Sequence, residues 1–265
     1  MKYSFHLLFA ILFLSCEAVQ IEDLIGDISD ENTPITTINT TDGTYNSSSV
    51  SLSWTGNEYA NSFSYRLEPL SYIDTAKTYT RWSEWDTLKS VTFINLDEGS
   101  YNFYIKSRYT IENVETPHSV NFIVDAIAGP ALRVYPLFQQ VSSGESFNVY
   151  IYIEDVIDLG GMELHLSYPS SNESFNSLSP GSILSNAPIF IDIINVTDGT
   201  IGLIATAEGF AGYTGTGILA KISLTSGIAG SVDTLYFQDS SILKNSGNIE
   251  IDILDKVYGL IKVVE

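Results

Sequence analysis

The sequence predicts an all-β protein of two sandwich domains in series. Three observations predict it. Short runs rich in Ile, Val, Thr, Tyr and Phe recur along the chain, with 16 Tyr and 13 Phe among its 265 residues. Turn residues separate these runs, and almost no stretch beyond the N-terminus repeats at the helical period. Ile127-Ala128-Gly129-Pro130 then reads as a short linker between a first domain, 34–126, and a second, 131–265. An apolar content of 44% is ample for two cores and excludes disorder of the chain as a whole.

The N-terminus reads as an export signal, 1–16. Met1-Lys2-Tyr3 is a short basic start, and Phe5 to Leu14 is apolar apart from His6. That run is too short to span a membrane and long enough for a secretory signal. Phe13-Leu14-Ser15-Cys16 resembles a bacterial lipobox, which implies lipidation of Cys16 and display as a cell-surface or outer-membrane lipoprotein. Ordinary cleavage after Ala18 gives a secreted chain instead; either route exports the protein. Residues 17–33 hold six acidic residues and no basic one, so they read as a solvated spacer or a short acidic helix.

In the first domain the expected strands are 35–38, 50–54, 62–67, 90–94, 101–109 and 119–124. Leu52, Trp54, Tyr65 and Leu67 are expected to point inward. Leu96-Asp97-Glu98-Gly99-Ser100-Tyr101-Asn102-Phe103 resembles the Leu-x-x-Gly-x-Tyr-x-Phe signature of fibronectin type III and immunoglobulin-like domains. The resemblance implies a tight turn at Gly99 and a buried Tyr101 whose hydroxyl bonds backbone. Trp82 and Trp85 either pack on the sandwich edge, as is usual in that class, or stack on sugar rings. His118 reads as a solvated turn residue.

In the second domain the expected strands are 132–135, 147–153, 162–168, 183–184, 189–196, 200–207, 217–225, 234–237 and 257–264: nine, closing as a jelly roll. Phe147, Val149, Ile151 and Ile153 alternate with Ser146, Asn148, Tyr150 and Tyr152; Met162, Leu164 and Leu166 alternate with Glu163, His165 and Ser167. The eight residues 154–161 between these runs are expected to carry the chain from one sheet to the other. Asp198-Gly199 reads as a two-residue hairpin turn.

Composition narrows the function. Twelve basic against 32 acidic residues give a net charge of -20, which excludes nucleic acid and leaves a lipid anchor as the route to a membrane. The single cysteine excludes an intramolecular disulfide. The chain carries no nucleophile elbow, phosphate loop, zinc-ligand spacing or dinucleotide turn, so neither an enzyme nor a cofactor is expected. The acidic pairs Asp97/Glu98 and Asp155/Asp158 read as solvated turns in preference to Ca²⁺ ligands.

The second domain resembles the cohesin family on the order and spacing of Val141 to Phe147, Val156 to Met162, Leu166-Ser167-Tyr168, Gly209, Gly215 to Ile222 and Gly259 to Val263. The resemblance implies a non-enzymatic scaffold that docks a dockerin-like protein through a flat outer sheet face, in polysaccharide degradation or surface assembly. On that face alternation offers Glu163, His165 and Ser167. On strand 189–195 it is expected to point Ile189, Ile191 and Ile193 inward and Phe190, Asp192 and Ile194 outward, where a partner or the chain itself covers the apolar pair. His165 beside Glu163 reads as a solvated pair in preference to a pH-sensitive contact. The alternatives are a carbohydrate-binding module, with a glycan as partner, and a structural surface protein.

Overall fold

The computed structural model describes residues 32–70, 81–184, 187, 189–206 and 212–265. The segment read as an export signal, Cys16 and all but the end of the acidic stretch 17–33 lie outside the described residues. The described residues form strands and no α-helix.

The first sandwich packs two sheets. One holds β1 (Thr36–Ile38), β3 (Val50–Gly56) and β5 (Ser90–Phe93); the other holds β2 (Gly43–Tyr45), β7 (His118–Val124), β6 (Gly99–Arg108) and β4 (Ser62–Pro69) in that order. Period-2 alternation sends Leu52, Trp54, Leu67, Phe103 and Ile105 into one core, each at most 1% exposed. Trp54 lies 5.9 Å from Phe103 and 5.7 Å from Tyr65 between ring centroids, in tilted or offset contacts that suit aromatic rings. Tyr101 is buried, and its hydroxyl donates to the Asp97 carbonyl at 2.7 Å. Gly99 at φ 136° makes the turn that brings this tyrosine back over its own strand entrance.

The second sandwich uses β8 (Ala131–Tyr135), β9 (Phe138–Ser142), β10 (Ser146–Ser167), β11 (Ser174–Pro180), β12 (Ile189–Asn195), β13 (Thr200–Thr206), β14 (Tyr213–Thr225), β15 (Val232–Phe237), β16 (Ile242–Asn245), β17 (Glu250–Ile251), β18 (Asp255–Val257) and β19 (Gly259–Val264). Its described residues thus form twelve strands where nine were expected. Several of the additional ones are short or polar, so their alternation is invisible in sequence. Ile183-Leu184, expected as a strand, is a turn.

β10 organises this domain. The two runs read as separate strands are one strand of 22 residues. Its first half pairs with β8 and β14, and its second half with β13 and β16. The segment 154–161 does carry the chain between layers, but as bulged strand and not as a loop. Register shifts fall between Ile153 and Val156 and between Val156 and Leu159, with Asp155 and Asp158 at φ 46° and 61°. Extra residues in one strand sharpen its bend and twist. Left-handed backbone is tolerated at Asp, and both are held from across β14: the Asp155 and Asp158 N–H groups donate to Thr216 and Thr214 hydroxyls at 3.1 Å. These two acids are therefore bulge residues. Their neighbour Gly160 is a packing residue: a Cβ there would stand 2.6 Å from backbone atoms of Asn245 and Ser246. One at Gly161 would meet nothing nearer than 3.6 Å. Gly160→Ala is expected to cost about 1–3 kcal/mol in urea unfolding, and Gly161→Ala less than about 0.5 kcal/mol.

Asp97 and Glu98, expected as solvated turn residues, clasp the junction between the sandwiches. Asp97 is buried and its Oδ1 accepts the Leu137 N–H at 2.6 Å. Glu98 Oε1 accepts the Ala126 and Ile127 N–H groups at 2.7 and 2.6 Å. Burial raises the Glu98 pKa even though those two donors oppose it. Backbone N–H groups that leave the sheets must find partners; Glu98 supplies one at the entry to the linker and Asp97 one at the turn after β8.

Candidate functional site

The candidate site is the outer face of the layer β12–β13–β10–β16. Its geometry follows from register, because residues directly opposite each other in antiparallel strands share a face. Met162, Leu164 and Leu166 of β10 stand opposite Ala205, Leu203 and Ile201 of β13, and all six are buried. β13 in turn sets Phe190, Asp192 and Ile194 of β12 on this same inner side. The alternate residues form rungs on the outside. One rung is Ile191–Ile204–Glu163–Ile242; the next is Ile193–Gly202–His165; a third is Ile189–Thr206–Gly161–Lys244. Asn195–Thr200–Ser167–Tyr236 closes the face at its end.

The phase expected for β12 is therefore reversed. Phe190 and Ile194 pack on the core, and Asp192 points to the same side beside them at the exposed sheet edge. Ile189, Ile191 and Ile193, expected inside, are 40%, 49% and 58% exposed. Apolar residues on both sides of β12 make its own alternation ambiguous; β13 decides it, since Ile201, Leu203 and Ala205 outweigh Thr200, Gly202, Ile204 and Thr206 as a core face. That comparison was available in the sequence and identifies the missed isoleucines. The hairpin also differs. Asn195 pairs with Thr200, leaving four turn residues, 196–199, with Gly199 at φ 64°. Asn195 stabilises that longer turn, its Oδ1 accepting the Thr197 and Asp198 N–H groups.

Glu163, His165 and Ser167 stand on the outer face. His165 Nε2 lies 3.0 Å from Glu163 Oε1, both partly exposed. Ser167 Oγ accepts from Gln238 Nε2 at 2.8 Å, and the His165 N–H donates to Ser241 Oγ at 3.0 Å. A groove of about 580 Å³ opens beside them, floored by Gly160 and Gly161 and walled by Glu163, Ile204, Ile242 and Lys244. Exposed aliphatic rungs, a Glu–His pair and a groove with polar walls suit contact with another macromolecule; they hold no reacting constellation. Among the described residues no group of three or more His, Cys, Asp or Glu side chains could hold a metal ion.

The tryptophans are placed differently. Segment 81–86 runs along β4, with Ser83 N–H donating to the Tyr65 carbonyl at 2.7 Å. Lys106 stands 4.2 Å over the Trp82 ring and Arg108 stands 4.4 Å over Trp85, while Arg66 lies 5.0 Å from Trp82. Three cations interleave with the two indoles, so the ring faces needed for sugar stacking are already engaged.

No protein-family model matches the chain, and no curated protein matches its sequence. Similar solved structures are cohesins. A non-cellulosomal cohesin from the archaeon Archaeoglobus fulgidus is 17% identical with a TM-score of 0.43, over 51% of this chain and 92% of that one. The cohesin–dockerin complex Coh-OlpA–Doc918 of Clostridium thermocellum gives 14% identity and a TM-score of 0.45, over 51% and 99%. A type II cohesin domain from the cellulosome of Acetivibrio cellulolyticus gives 13% and 0.41, over 49% and 95%. At these identities the likeness is one of fold alone.

Proposed function

We propose that this chain is a non-enzymatic, exported scaffold protein whose second sandwich docks a dockerin-like protein on the outer face of β12–β13–β10–β16. The observation that carries the reading is the row of exposed isoleucines, Ile189, Ile191 and Ile193, aligned with Ile204 on a sheet face that also offers Glu163 and His165. Each half-exposed isoleucine gains about 1 kcal/mol when a partner covers it, and contiguous exposed aliphatic surface of this kind marks an interaction site. The sequence resemblance to cohesins supports a dockerin as the partner class. The chain's charge of -20 favours a partner whose contact rim is basic.

The test is capture from the secreted fraction of the native organism on the full chain, against an Ile191→Asp/Ile193→Asp variant. The wild type is expected to retain a protein carrying paired Ca²⁺-loop repeats. The variant is expected to bind it at least about 30-fold more weakly, the loss of a central contact of roughly 2 kcal/mol or more. Equal capture by both proteins would exclude this face.

A further inference from the structure

Away from the outer face, two carboxyl groups meet at the margin of the second core. Glu173 lies in the turn after β10 and is 1% exposed. Asp233 stands on β15 opposite the buried Ile261, so its side chain points toward the core side of that strand. The two lie within hydrogen-bonding reach of each other. Both Glu173 carboxyl oxygens are buried and neither receives a donor from the protein. Among the described residues neither acid has a basic ion-pair partner.

The surroundings treat the two acids differently. Asp233 Oδ2 accepts from Asn172 Nδ2 at 2.6 Å and from Ser231 Oγ at 2.7 Å. Asn172 Nδ2 also reaches Ser231 Oγ at 2.7 Å, and Asn172 Oδ1 takes the Ile228 N–H at 2.7 Å. Asp233 is thus anchored through one oxygen, Oδ2, by two donors. Two carboxylates facing each other in a buried place repel unless positive charge lies between them. A shared proton answers this in part: protonated Glu173 donates once, and its second oxygen stays buried without a donor. A divalent cation satisfies both Glu173 oxygens and offsets the Asp233 carboxylate beside them.

We propose that Glu173 and Asp233 form a site for a hard divalent cation of the Ca²⁺ class, tying the turn after β10 to the start of β15. The donors are all oxygen, with no His or Cys among them, which selects Ca²⁺ or Mg²⁺ over zinc and copper. A bidentate carboxylate on a turn suits the longer, more tolerant coordination of Ca²⁺. With two carboxylates the site belongs in the 10⁻⁴–10⁻³ M range typical of extracellular modules. In the metal-free chain the same crowding, burial first and the charge of Asp233 second, pushes Glu173 up to about 7.

The experiment is thermal unfolding of the full chain, without any partner, after chelation and dialysis at pH 7.5. CaCl₂ is titrated from about 0.1 to 10 mM, with MgCl₂ and ionic-strength-matched NaCl as separate arms. Ca²⁺ is expected to raise the Tm by roughly 3–10 °C at 10 mM, about 10- to 100-fold over its Kd, with Mg²⁺ weaker and NaCl without effect. Glu173→Gln and, independently, Asp233→Asn are expected to abolish the Ca²⁺ response. Two results overturn the site. One is a wild-type Tm indifferent to both cations, which leaves only a shared proton. The other is an equal rise in wild type and both variants, which places the ion elsewhere. Neither outcome bears on the docking face, which shares no residue with this pair.

Discussion

Glu154→Gln is expected to destabilise the protein by about 3–5 kcal/mol, read as a lower urea midpoint with an unchanged slope. Glu154 and Arg133 are 3% and 5% exposed and form an ion pair through Glu154 Oε1 and Arg133 Nε. They lie on neighbouring strands, β10 and β8, on the face of that layer turned away from the main core. There Tyr135, Tyr150 and Tyr152 make a small cluster of their own. The guanidinium stands 4.2 Å over the Tyr152 ring and 5.4 Å from the Tyr135 ring, so aromatic faces and one carboxylate replace its water. Arg133 Nη1 already lacks a partner. Taking the carboxylate's charge away strands a permanently charged group in a dry place, which costs far more than the pair contributes when intact. The same logic makes a second prediction within the first: Arg133→Met/Glu154→Leu is expected to recover most of the loss, because it removes both charges and keeps the volume. A double variant as unstable as the single one would show that the pair fixes this layer's geometry and not merely its charge balance.

Glu115→Ala is expected to cost a similar amount, about 3–5 kcal/mol, and to loosen the first sandwich where β1, β6 and the approach to β7 meet. Its carboxylate is 6% exposed. Oε1 accepts the Ser107 N–H at 2.5 Å and the Ser107 hydroxyl at 2.6 Å, and it also accepts from the Thr36 hydroxyl. Oε2 accepts the Thr36 N–H at 2.8 Å and stands 3.2 Å from His118 Nε2. Ser107 and Thr36 are themselves buried. Truncation leaves two backbone N–H groups and two hydroxyls without an acceptor, at about 1–3 kcal/mol for each group that water does not reach. Hydrogen exchange at Thr36 and Ser107 checks the mechanism: both amides are expected to lose protection first. A loss of less than about 1 kcal/mol would mean that water replaces the carboxylate. His118, read from sequence as a solvated turn residue, is exposed at the start of β7 and touches this hub at its rim.

Much of the fold was legible before any coordinates. The Leu96 to Phe103 run announces a tight turn and a tyrosine whose hydroxyl returns to backbone, and Tyr101 makes that bond to Asp97. The alternation of Phe147 to Ile153 and of Met162 to Leu166 assigns inside and outside correctly, because each run is apolar on one side only. Legibility fails where the signal is symmetric or non-local. In β12, Ile189, Phe190, Ile191, Ile193 and Ile194 populate both sides, so period 2 supplies an alternation without a sign. Acidic residues in a turn read as solvated, and Asp97 is buried only because Leu137, forty positions away, brings its N–H to the carboxylate. Glu115 and Glu173 carry no local mark at all.

The sequence by itself determined the all-β class, the core-facing sets of the unambiguous strands and the excess of acidic residues, since each depends on composition or on neighbours one and two positions apart. Only the tertiary structure decided which side of β12 faces out, that β10 runs unbroken through a series of bulges from one layer into the other, and which acids are buried against backbone donors or against each other. Those outcomes depend on strand register and on contacts between distant residues. They are fixed when the layers close over one core, where an unpaired polar group or a misplaced isoleucine costs free energy that the isolated segment never experiences.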